Sequence, residues 1–327
     1  MLQVGIVNRQ RGDGLARLVG WVVYTTIARR AAIRSSYDQA QDTLAWILPM
    51  YILLLTGAWF ILVLAGFLLL IWCSQAEHDL LQAAIASGSA LSTLGFLTPP
   101  GIAGQLLAIP EGAIGLGIVV FLFTFIPGYL TTIQAREVKV AWLYARTGSE
   151  PAGFALIEWF QLSGRLGDMA GVWEEWEGWF RNLIETHTLA PVLAFVPTVN
   201  RDQNWVIAAA SVLDAAFCLS GLEADGQASA LLCHATGVRA LQLIAAQLAG
   251  RRLAKFRART GHCLNRAVFD ASCDRLAALN APIKANRDES WRHFTELRAG
   301  YEVFLPGLAA SLLVPMDNVP MLDPSNG

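Results

Sequence analysis

Residues 79–101 read Asp79-Leu-Leu-Gln-Ala-Ala-Ile-Ala-Ser-Gly-Ser-Ala-Leu-Ser-Thr-Leu-Gly-Phe-Leu-Thr-Pro-Pro-Gly101. Nearly every residue is apolar or small, whereas a connection running through water is expected to be polar. Up to Leu91 the residues are good helix formers, and Glu77 and Asp79 stand where negative charge favours a helix start. A helix over 79–91 is about 20 Å long, too short to cross the ~30 Å of a bilayer's hydrocarbon. Beyond it, Gly95, Pro99, Pro100 and Gly101 interrupt any helix. A short helix that dips in and returns as extended backbone fits this length. Such backbone is tolerated at membrane depth only when buried in protein or lining a water-filled cavity.

The flanks supply the membrane. No Lys or Arg occurs from Ser35 to Ala135, and two windows, Thr43–Ala76 and Gly112–Ala135, carry no charge at all. Each is long enough to span, and we expect a first span over 44–74 and a second over 108–135. The first lies too far from the N-terminus and is too long to be a signal peptide. The whole chain agrees: 54% of its 327 residues are hydrophobic and 15% charged, with a mean hydropathy of +0.44, against about 25% charged in soluble proteins. Arg9, Arg11, Arg17, Arg29, Arg30 and Arg34 precede the first span, and Arg136, Lys139 and Arg146 follow the second. The connection Glu77–Glu111 has no Lys or Arg. The positive-inside rule then predicts a multi-pass protein of the cell membrane with both termini in the cytoplasm. Trp72 and Tyr129 suit interfacial positions. Within the N-terminal segment 1–42, the apolar stretch Leu18–Ile27 is too short to span. It reads either as an interfacial helix on the inner leaflet or as a helix packed on the cytoplasmic domain.

Span, re-entrant helix, glycine-containing return and second span together are the plan of a pore. In that setting Ser92-Thr93-Leu94-Gly95-Phe96 resembles the potassium-channel signature T-T-V-G-Y-G, and Glu111-Gly-Ala-Ile-Gly-Leu-Gly117 with Phe125-Ile-Pro-Gly-Tyr-Leu130 resembles the inner helix of two-span channels. The resemblance covers about residues 44–135. It implies a pore domain over 43–135 with a pore helix at 79–91 and a filter at 92–98. Four copies would line one axis as a homotetramer in the lipid bilayer. Carbonyls at Thr93, Leu94, Gly95, Phe96 and Leu97 would replace the hydration shell of a monovalent cation, by the resemblance K+.

The departures from the family pattern carry meaning. Its second filter glycine is Leu97 here, and the following aspartate is Thr98. Alternate filter residues need left-handed backbone, which glycine adopts freely and leucine only at a cost of ~1–2 kcal/mol. Phe96 keeps the family's aromatic ring without its hydroxyl, and Ile85-Ala86 stands where an aromatic pair usually braces the filter. Weakened selectivity follows as an expectation. In the second span Gly115, Gly117, Pro127 and Gly128 read either as a gate or as close helix packing. Thr124 is the polar side chain that would face the cavity, and Phe121, Phe123 and Phe125 would face lipid or neighbouring helices.

Residues 136–314 carry most of the remaining charge and read as a cytoplasmic helical domain, with helices expected over Glu137–Thr147, Glu150–Arg165, Gly171–Glu185, Asn204–Leu222, Gln227–Arg257, Cys263–Leu279 and Arg287–Tyr301. The first of these would continue the inner helix. Trp173, Trp176 and Phe180 share a helical face and read as core or subunit interface; Val206–Leu222 and the helix after it read as buried bundle helices rather than a membrane hairpin. The tail 315–327, with three prolines, reads as disordered. The fold class is thus an all-α membrane protein with two transmembrane helices, a re-entrant pore helix and filter loop, and a C-terminal cytoplasmic helical domain.

A net charge of −2 argues against a nucleic-acid partner. Five scattered cysteines without a CxxC suggest neither a disulfide framework nor a zinc ribbon. Glu185, His187, Cys233, His234, His262 and Cys263 lack ligand spacing, so no metal beyond the permeant cation and no cofactor is expected. No nucleophile elbow, P-loop or dinucleotide-binding fingerprint occurs, so no enzymatic activity is expected. The reading is a tetrameric potassium-channel-like cation channel with altered selectivity, its C-terminal domain serving an unidentified cytoplasmic ligand or partner. The alternative is a non-conducting pore-fold scaffold or sensor.

Overall fold

The computed structural model describes residues 14–149, 151–220, 227–248, 262–281, 286–315 and 319–322. The described chain is overwhelmingly helical, with one short two-stranded sheet. Its helices are α1 (Gly14–Ala32), α2 (Tyr37–Leu44), α3 (Ile47–Cys73), α4 (Leu80–Leu91), α5 (Gly101–Thr147), α6 (Gly153–Leu162), α7 (Met169–Leu189), α8 (Trp205–Ser220), α9 (Gln227–Leu248), α10 (Arg266–Ala278), α11 (Arg287–Glu302) and α12 (Leu305–Ser311). Three stretches, Tyr37–Cys73, Gly101–Thr147 and Ala228–Leu248, are long and apolar enough to cross a membrane. Sequence analysis expected only two such spans. The third was read from sequence as a buried bundle helix, and one flank of it is packed in the core.

The chain divides into two units, one of Asp13–Val23 and Pro49–Thr132, the other holding Tyr24–Leu48 and Ile133–Gly327. The first unit carries α3, α4 and the first two-thirds of α5. Asp79 caps α4, its Oδ1 accepting the Leu81 N–H at 3.1 Å, which satisfies a donor that the first helical turn leaves open. Pro99 and Pro100 cannot continue a helix with their neighbours, and α5 starts at Gly101 with φ +77°. The helix therefore begins seven residues before the expected second span. It also runs on through 137–147, so the first expected cytoplasmic helix is its continuation. Pro110 and Pro127 lie inside it, and the hydroxyls of Thr131 and Thr132 donate to the carbonyls of Pro127 (2.8 Å) and Gly128 (2.9 Å).

The second unit is a helical bundle. Trp173, Trp176 and Phe180 of α7 are buried at the centre, and α9 lies along α7 and α8. Gly153 lets α6 approach α8, since a Cβ there would stand 2.5 Å from the Ala215 nitrogen. The buried flank of α9 (Ala230, Cys233, Leu241, Ile244) belongs to this core, so its apolar residues have a protein partner.

The charges inside the bundle are paired. Arg298 of α11 donates from Nη1 to both oxygens of Asp214 on α8, at 2.8 and 2.7 Å, and the Tyr301 hydroxyl donates to the same carboxylate. All three are buried. Burial pushes the Asp214 carboxyl above its ordinary range, and the Arg298 guanidinium and Tyr301 hydroxyl oppose that shift.

Arg136 is also buried, its guanidinium donating to the carbonyls of Leu193 (3.2 Å), Val196 (3.0 Å) and Pro197 (3.4 Å). The neighbouring His187 is buried with Nε2 unbonded, and its Nδ1 lies 2.9 Å from the Thr186 hydroxyl. Burial, and secondarily the Arg136 charge, pull the His187 pKa down to about 3.

Helix α1 buries one set of side chains in protein and leaves another exposed. Val23, Ile27 and Ala31 are buried; the Tyr24 ring stacks 3.9 Å from that of Phe195, and its hydroxyl donates to Ser311 O at 3.3 Å. Leu18, Trp21, Val22 and Ile33 are exposed. The expected disordered tail is corrected at 320–322: Pro320–Leu322 pairs in parallel with His262–Leu264, because strand pairing satisfies the backbone there. Residues 316–318 and 323–327 of that tail lie outside the described residues.

Breaking the buried ion pair leaves an uncompensated charge. Asp214→Ala is expected to cost about 3–5 kcal/mol, read as a lower urea midpoint in tryptophan fluorescence of the solubilised protein. For His187 the unfolded state binds the proton more readily than the folded one. Stability is therefore complete above pH 6.5 and falls as pH drops below it, by about 2 kcal/mol at pH 5. His187→Phe is expected to flatten that part of the pH–stability curve; an unchanged slope would assign the acid sensitivity to other groups.

Candidate pore loop

Helix α4 ends where its capping groups turn back: Ser92 N–H donates to Gly88 O and Thr93 N–H to Ala90 O, both at 3.0 Å. The following residues are the sequence-predicted filter. Thr93 has φ +59° and Gly95 φ +67°, so left-handed backbone occurs at alternate positions. Glycine takes this conformation freely; Thr93, β-branched, takes it at a cost of ~1–2 kcal/mol. Leu97 is not left-handed. The strain expected at Leu97 is therefore absent, and the non-glycine strain falls on Thr93 instead. Past Gly95 the loop takes a different course, with the Leu97 N–H turned back to the Ser89 hydroxyl at 2.9 Å. Leu94 and Phe96 are 72% and 67% exposed.

Two serines of α4 were overlooked in sequence. Ser89 is fully buried and bonds the loop twice: its carbonyl accepts the Gly95 N–H at 3.1 Å and its hydroxyl the Leu97 N–H. Ser87, also fully buried, donates to Oε1 of Glu111 on α5 and lies 3.3 Å from Leu64 O on α3. Glu111 is itself fully buried, with no hydrogen-bond partner for Oε2. The available signal was the spacing Ser87-Gly88-Ser89 inside an apolar helix, because polar side chains at that depth are expensive and kept for a purpose.

Of the residues read as either a gate or close helix packing, Gly115 has a definite packing role. A Cβ there would lie 1.9 Å from the Leu91 carbonyl oxygen, so only glycine lets α5 pass the end of α4 at this distance. Gly117 and Gly128 face open space. Thr124 is exposed and donates to Val120 O at 3.0 Å. Thr124, Pro127 and Gly128 stand 9 to 13 residues beyond Gly115 on the same helix, about 14–20 Å along its axis. The loop and Gly115 thus meet at the end of α4, and the other three do not join them. Phe121 stacks on Phe125 with ring centroids 3.8 Å apart, and Phe123 is 77% exposed.

Among the described residues no three His, Cys, Asp or Glu side chains are grouped to hold a metal ion. Comparison of the chain with family models, curated proteins and solved structures returned no match.

Gly115→Ala is expected to cost more than about 3 kcal/mol or to prevent folding, because the obstructing atom is backbone. Gly66→Ala, whose Cβ would meet nothing within 4 Å, serves as the control and should be neutral or slightly stabilising. Thermal unfolding of the two solubilised variants, followed by size-exclusion profile, separates them.

Proposed function

We propose that this chain is a subunit of a cation-conducting pore, four copies surrounding one axis in a membrane with the loop after α4 as the ion path. The observation that carries the reading is the loop itself. A helix too short to span hands over to backbone with left-handed residues at Thr93 and Gly95, and the whole stands between two helices of span length. Carbonyls in such a stretch can substitute for the hydration shell of a monovalent cation. One loop per chain requires several chains for a closed ring. The exposed Leu94 and Phe96 side chains are the surfaces such neighbours would cover. On this reading α3 and α5 are the two spans, and α9 is a bundle helix because its apolar flank is already packed on α7 and α8. Both termini then lie on the side of Arg17, Arg29, Arg30 and Arg34.

The course of the chain at Leu97 favours one alternative, a pore fold kept as a non-conducting scaffold. A Leu97 N–H bonded back to Ser89 shortens the run of backbone available to an ion to about Thr93–Phe96. Fewer coordinating rings mean weaker selectivity or no conduction.

Cation flux from liposomes holding the purified chain decides between them. Under opposed K+ and Na+ gradients the wild type is expected to pass K+ with modest preference. Gly95→Ala, which strains a residue at φ +67°, is expected to abolish the flux. No flux of either ion from a folded tetramer would replace the channel reading with the scaffold.

A further inference from the structure

One side chain of the loop is bonded, the Ser92 hydroxyl donating to Ser89 O at 3.3 Å. Phe96 has no hydroxyl, Leu94 and Phe96 point outward, and Thr93 and Gly95 are exposed. Its geometry is set from behind, and the bonds that do so converge on one residue. Ser89 is fully buried in the last turn of α4, and its carbonyl and hydroxyl take the N–H groups of Gly95 and Leu97. The two bonds bracket Phe96, so they fix where the chain stops being left-handed and turns away.

The helix beneath Ser89 is itself braced. Ser87, two residues earlier, is tied to Glu111 and close to Leu64 O, and the Leu91 carbonyl abuts Gly115. Ser89 is thus a rigidly mounted acceptor, and a mounted acceptor transmits position where a mobile one does not.

We propose that Ser89 is the positioning residue of the loop, its hydroxyl holding Leu97 and thereby setting the spacing of the carbonyls at Leu94 to Phe96 that a monovalent cation would meet. The consequence for ion preference rests on the pore reading above; the clamp itself does not. Ser89 touches no ion and acts through the backbone of Leu97. A merely structural serine would alter stability alone; a positioning serine alters the ratio of permeabilities.

The experiment uses the full chain in liposomes and in nanodiscs. Bi-ionic potentials give the K+ to Na+ permeability ratio, and hydrogen–deuterium exchange gives the protection of the Leu97 amide. Ser89→Ala removes the acceptor. It is expected to lower the ratio, and to speed exchange at Leu97, each about fivefold, the size of one neutral hydrogen bond. Ser89→Thr keeps the hydroxyl and is expected to restore both. If the alanine chain fails to assemble, Ser89→Cys, similar in size and weaker as an acceptor, takes its place with a smaller shift in the same direction. An unchanged ratio alongside faster exchange would overturn the role in selectivity. If the wild type passes neither ion, the pore reading fails and exchange alone judges the clamp: a Leu97 amide equally unprotected in wild type and Ser89→Ala would overturn it.

Discussion

A backbone that turns round at membrane depth has no water to bond to, and every N–H and C=O it exposes must be answered by protein. In residues 92–98 four amides, those of Ser92, Thr93, Gly95 and Leu97, are answered by α4. Its last turn supplies the carbonyls of Gly88, Ser89 and Ala90 and the hydroxyl of Ser89 to the amides of Ser92, Gly95, Thr93 and Leu97. The helix can serve in this way only while it stays seated between α3 and α5. Seating depends on a polar contact, Ser87 with Glu111, and an apolar one, the Leu91 carbonyl against the bare Cα of Gly115. The loop's shape, the register of α4 and the glycine of α5 are therefore one device. A change in any of the three reaches the other two.

The same logic gives Glu111, inside α5, a structural role. A fully buried carboxyl with one oxygen unanswered is costly, since an unpartnered buried polar group forfeits its hydration. Its compensation is geometric. It holds the Ser87 hydroxyl of α4, and Leu64 O of α3 stands within reach of that hydroxyl. Three helices meet at Ser87, where leucine would pack with no directional preference. A polar contact at such a point specifies one register among several that apolar packing would accept.

How much of this was legible in sequence differs by level. The short helix could be read to within a residue, because Asp79 and Glu77 mark its start and nothing before Ser92 breaks it. The bundle helices followed from their periodicity, and the face Trp173, Trp176 and Phe180 is buried as a helical face requires. Legibility failed where a residue's role depends on a distant partner. Leu97 was read by its position in a pattern, but its conformation is decided by Ser89 eight residues earlier. Gly115 stood in sequence among Gly112, Gly117 and Gly128 as one of several equivalent glycines. Only the approach of Leu91 singles it out. Hydropathy reports that a helix is apolar and not what covers it, so Ala228–Leu248 equals a span in length while one flank of it is core.

Arg136 shows what the continuous helix does with its end. The positive-inside rule treats it as one of three basic residues marking a membrane surface. In the bundle it is a buried structural cation, its guanidinium shared by three carbonyls at Leu193, Val196 and Pro197 and paired with Glu137, while the Trp179 indole donates to its own carbonyl. Carbonyl oxygens carry partial negative charge, and three of them with one carboxylate answer a full positive one. The cost of leaving such a cation buried and unanswered is several kcal/mol, so rotation of α5 about its axis at this level is opposed by more than side-chain packing.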